Sequence, residues 1–136
     1  MLYPNNIEQK LGFDQIREML AKDCLSPLGQ AYVGKMRFSN DFELIKKLMH
    51  QTAEFKKILV QEMLFPSQNY IDIGPLLEKI KVEGLFLEMH EFFDFKLFLR
   101  TIFKCLDFFN ENKDFENLKV LTEGLALDKK ILYKID

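Results

Sequence analysis

Apolar residues in this chain recur at spacings of three and four, and the alternation of a half-buried strand is almost absent, so helices are expected throughout. A short helix is predicted over residues 6–11, stopped by Gly12. The next covers about residues 13–24, with Phe13, Ile16, Leu20, Ala21 and Cys24 on one stripe. Ser26 followed by Pro27 is an N-cap and first-turn pair that opens a helix to about residue 36. Ser39-Asn40-Asp41 then caps a long helix reaching about residue 63, whose Ile45, Leu48, Met49, Thr52, Phe55, Leu59 and Met63 form the expected core stripe. The pairs Lys46-Lys47 and Lys56-Lys57 point away from that stripe, with Glu43 and Glu54 near enough to pair with them, and read as a solvated face.

Residues 64–74 are the clearest loop, marked by Pro66, Ser67, Asn69 and Gly74. Pro75 restarts a helix that runs to about residue 82 and ends at Gly84. The strongest helix is predicted over residues 88–110, followed by a polar turn and a short helix over residues 115–123. Residues 128–136 read as the start of another helix that stops inside its own pattern, as a truncated chain would. The strongest helix is apolar on two sides. Phe92, Phe95, Leu99, Ile102, Phe103, Leu106 and Phe109 form the core stripe, while Phe93, Leu97 and Phe108 fall opposite, among Asp94, Arg100 and Lys104. Such a helix is either central in its domain or covered by something further, the rest of the polypeptide or a second subunit.

Composition sharpens this picture. With 136 residues, 48% of them hydrophobic and 29% charged, the chain has the size and balance of one globular domain. Fourteen Phe and no Trp favour buried packing over a wet recognition surface. Nineteen basic against twenty-one acidic residues lack the basic footprint of tight nucleic-acid binding. Cys24 and Cys105 belong to no CxxC pair and read as reduced core thiols. The N-terminus lacks a signal peptide, and the most apolar stretch, residues 92–109, is broken by charges, so a cytoplasmic protein with no membrane span is expected.

Motifs for chemistry are missing. There is no GxxxxGK[ST] loop and no GxGxxG. His90-Glu91 starts like a metalloprotease helix, but the position of the second His is Asp94. His50 stands one turn before Glu54, a pairing that commonly decorates a surface. No catalytic, cofactor-binding or metal-ligating residue is assigned.

Four stretches carry a family resemblance: Gly12-Phe13-Asp14-Gln15-Ile16-Arg17, Leu25-Ser26-Pro27-Leu28-Gly29, Gln51-Thr52-Ala53-Glu54, and Ile71-Asp72-Ile73-Gly74-Pro75-Leu76-Leu77. In this order and spacing the chain resembles the N-terminal segment of the MutS-two family, the second bacterial type of MutS-like protein. The resemblance implies an all-α, multi-helix bundle over residues 1–136, an N-terminal fragment of a longer protein in which a core and lever region precedes a coiled-coil clamp. A MutS-type ATPase domain and often a C-terminal Smr nuclease-like domain would follow. It further implies that the full protein binds ATP and Mg, forms a homodimer, and acts on branched or recombining DNA or on stalled ribosomes through other domains. The fragment itself would need no cofactor, and its first partner would be the rest of its own chain. Two other readings stand beside this one: a free-standing helical adaptor that binds a partner helix through its Phe surface, and a small helical enzyme whose site assembles only in the fold.

Overall fold

The computed structural model describes residues 6–125, 127–128 and 130–135, with side chains through Leu132. Residues 1–5, where the absence of a signal peptide was read, lie outside them. Among the described residues every regular element is a helix and there is no strand. Its helices are α1 (Ile7–Lys10), α2 (Phe13–Asp23), α3 (Pro27–Gly34), α4 (Phe42–Val60), α5 (Gly74–Ile80), α6 (Met89–Glu111), α7 (Glu116–Lys119) and α8 (Lys130–Ile135), with a 3-10 turn at Val120–Thr122. The all-α class expected from the spacing is therefore observed. The chain divides into two compact units, residues 1–38 and 39–136.

In the first unit α1 packs on α2 and α2 on α3. Gly12 takes a left-handed φ of 71°, open to glycine without strain, and turns the chain from α1 into α2. No residue of α1, α2 or α3 is buried. Ile16 and Leu20, expected on a core stripe, are 47% and 41% exposed. Arg17 supplies much of the order instead. Its Nη2 donates to Glu8 Oε2 at 2.5 Å and to the Met36 carbonyl at 3.0 Å, and its guanidinium lies 4.7 Å from the centre of the Phe13 ring.

The second unit has a core. Ile58, Phe108, Phe109, Phe115 and Leu118 are buried together, with Met63 and Phe65 packed against them. Phe65 is the hub of the aromatic contacts, edge-on to Phe55 at 5.3 Å and to Phe108 at 5.1 Å, while Phe108 stacks on Phe115 at 6.1 Å. Edge-to-face rings of this kind add roughly 1 kcal/mol per pair beyond the area they bury.

Two sequence expectations change here. On α6 the division into opposite faces gives way to a division along the length. Phe108, placed on the spare face, is core, because Phe65 from the loop and Phe115 from beyond the helix close over both sides of its C-terminal end. Phe92, placed on the core stripe, is 42% exposed, and Phe93 is 58% exposed. On α4 the three-four stripe packs only in part: Phe55 meets Phe65 and Met63 joins the core cluster, whereas Ile45, Leu48, Met49 and Leu59 are exposed and the residues buried on the helix are Gln51 and Ile58. The Phe content is likewise only partly interior, since Phe38, Phe42 and Phe86 are also exposed.

α4 ends three residues before the predicted boundary. Glu62 adopts φ 51°, the Met63 N–H bonds the Ile58 carbonyl and the Glu62 N–H bonds the Leu59 carbonyl. This is a Schellman ending with Glu where glycine is usual. Met63 then reaches back to the core cluster that contains Ile58, the hydrophobic contact that often accompanies this motif.

Candidate functional site

Each of the four stretches that carry the resemblance folds into a fastening, three of them within their own unit's neighbouring turns and one across the sequence. Ser26 caps α3, its Oγ accepting from Gly29 N at 3.1 Å, with Pro27 in the first turn. A Cβ at Gly29 would stand 3.3 Å from Cys24 Cβ and 3.4 Å from its Sγ, so this turn closes tightly. Asp72 Oδ1 accepts from Gly74 N at 2.9 Å and sits where a Cβ on residue 74 would come within 3.0 Å, which fixes the chain as it enters α5. Phe13 and Arg17 of the first stretch form the cation–π and ion-pair bracket of the first unit.

Gln51-Thr52-Ala53-Glu54 makes the longest reach in sequence. Gln51 and Glu54 are one turn apart, so both point to the same side of α4. Glu54 Oε1 accepts from Asn117 N at 3.1 Å and from Asn117 Nδ2 at 2.6 Å, while Oε2 accepts from Leu118 N at 2.8 Å. Gln51 Nε2 donates to the Asn117 carbonyl at 3.1 Å. Asn117 and Leu118 lie in the first turn of α7, where backbone N–H groups have no partner within the helix and the helix dipole favours a negative charge. Glu54 is thus the N-terminal cap of a helix more than sixty residues away. Burial pushes its carboxyl up, but the hydrogen bonds from the Asn117 side chain and the Leu118 and Asn117 backbones, with the nearby His50, outweigh that. The net effect holds Glu54 below its ordinary 4.5. The expected pairing with His50 persists as an electrostatic contact, and this inward role is added to it.

The other polar candidates stay apart. His90 sits exposed at the start of α6, with Nδ1 3.4 Å from Glu88. Glu88 and Glu91 form a reciprocal capping box there, and Glu91 also accepts from Lys79 Nζ of α5 at 2.6 Å. Cys24 and Cys105 are both free thiols and half-buried rather than core. Cys24 Sγ donates to the Leu20 carbonyl at 3.2 Å. Cys105 is hydrogen-bonded to Tyr70, and burial pushes the Cys105 thiol up. Burial and Cys105 together push the Tyr70 phenol up to about 12, and its hydroxyl donates to the Pro66 carbonyl. Both groups therefore stay neutral near pH 7, which suits a buried fastening of the loop to α6. Thr101 does the same work, with Oγ1 3.1 Å from both the Gln68 and the Leu97 carbonyls. Among the described residues no three His, Cys, Asp or Glu side chains come together in a way that could hold a metal ion. No described helix is long and apolar enough to cross a membrane.

Apolar concavities are present in both units. One of about 430 Å³ lies between α5 and the exposed N-terminal half of α6, lined by Leu76, Leu77, Ile80, Phe86, Leu87, Phe92 and Phe95. Another of about 430 Å³ lies in the first unit, lined by Ile7, Leu11, Phe13, Ile16 and Phe38, with Glu8 and Arg37.

Comparison with known proteins gives relatives of one name. The chain is 31% identical over 75 residues to the endonuclease MutS2 of Staphylococcus haemolyticus, which covers 55% of this chain and 10% of that protein. It is 24% identical over 119 residues to the endonuclease MutS2 of Staphylococcus carnosus, covering 85% of this chain and 15% of the relative. With the endonuclease MutS2 of Geobacillus kaustophilus it shares 30% identity over 74 residues, 54% of this chain and 9% of the relative. No family model matches the chain. No solved structure matches it either. The chain spans about a tenth of the length of the curated relatives it matches.

Proposed function

We propose that these 136 residues are a non-catalytic core and lever segment of a MutS2-like, DNA-processing or ribosome-rescuing ATPase. In this reading the segment couples movements of the ATPase dimer to the clamp that holds nucleic acid. ATP, Mg and any endonuclease chemistry belong to other parts of that protein. One observation supports this most: the stretches in which the resemblance lies are spent on caps and cross-braces, above all Glu54 on α7, and not on a pocket of reactive groups. Braced helices pass on displacement because close-packed interiors are stiff.

The test is made on the protein encoded by the whole gene. Its sequence past the codon for Asp136 should contain further helical stretches and then a GxxxxGK[ST] loop. Replacing Glu54 by Gln in that protein should leave ATP turnover without nucleic acid unchanged and reduce its stimulation by branched DNA or ribosomes. A stop codon directly after Asp136 overturns the reading, as does E54Q stimulation equal to that of the parent. The uncovered groove between α5 and α6 favours a second reading, an adaptor that binds a partner protein there. That stop codon, with a partner bound at Phe86 and Phe92, would establish it.

A further inference from the structure

We draw no further inference here: the strongest candidate, the apolar groove between α5 and the N-terminal half of α6 lined by Leu76, Ile80, Phe86 and Phe92, carries nothing because nothing in the structure shows what covers it.

Discussion

In residues 6–38 one arginine side chain draws together α1, α2 and the segment after α3, and no residue of those helices is buried. In the second unit five apolar residues disappear from solvent around the end of α6, and the polar bonds of Gln51 and Glu54 lie beside them. Helices of similar kind are thus held in one unit chiefly by directed polar contacts and in the other by directed contacts laid over a core. The difference predicts unequal resistance to unfolding. A few polar bonds contribute on the order of 1 kcal/mol each, whereas a packed Phe cluster contributes several times that.

The largest effect should come from Phe108→Ala. It should lower the unfolding free energy of the second unit by about 3–5 kcal/mol, measured by denaturant titration. Phe93→Ala, on the same helix but exposed, should change it by less than about 0.5 kcal/mol. Equal losses would mean that the two halves of α6 are not as different as their burial. Glu54→Gln should cost about 1–3 kcal/mol, since an amide cannot accept the same three N–H bonds with full charge. The pH dependence has a definite sign. Because the folded Glu54 is held below 4.5, its contribution is complete above 4.5 and is lost as pH falls through the lower folded value. The parent should therefore lose stability on acidification below 4.5 by a component that E54Q lacks.

Smaller changes probe the first unit. Arg17→Met keeps much of the stem and removes the charged contacts, and should cost about 1–2 kcal/mol. Amide exchange should show the loss in residues 6–38 while α6 and α7 stay protected; loss spread evenly over both would mean that the units do not respond separately. The smallest effect is a gain. Glu62→Gly relieves a left-handed residue at the end of α4 and should stabilise the second unit by roughly 0.5 kcal/mol. Gly12 already occupies the corresponding left-handed position in the first unit, and Gly12→Ala should destabilise there.

The punctuation of this fold was legible. Ser26 and Asp41 cap the helices that the sequence says they should, and Gly12 stops α1. Apolar spacing on α4 was legible too, but its meaning was not. Counting apolar positions mixes exposed residues such as Leu48 and Met49 with Phe55 and Met63, which do pack, and it misses Gln51 and Glu54, which leave no apolar period. A single signal pointed to them: two long polar side chains one turn apart, in a stretch already singled out by resemblance. Phe108 was misplaced because its burial depends on Phe65 and Phe115, which lie outside the helix and beyond any local pattern.

The cap that Glu54 places on α7 also orders events in time. α7 has four residues, fewer than an isolated helix needs to pass its nucleation barrier. Its first-turn N–H groups find their acceptor only after α4 exists and the chain has closed a loop of more than sixty residues. Protection of the Asn117 and Leu118 amides during refolding should therefore lag behind that of α4, and substitutions at Glu54 should speed unfolding more than they slow folding. These two amides serve as a clock for the arrival of tertiary structure.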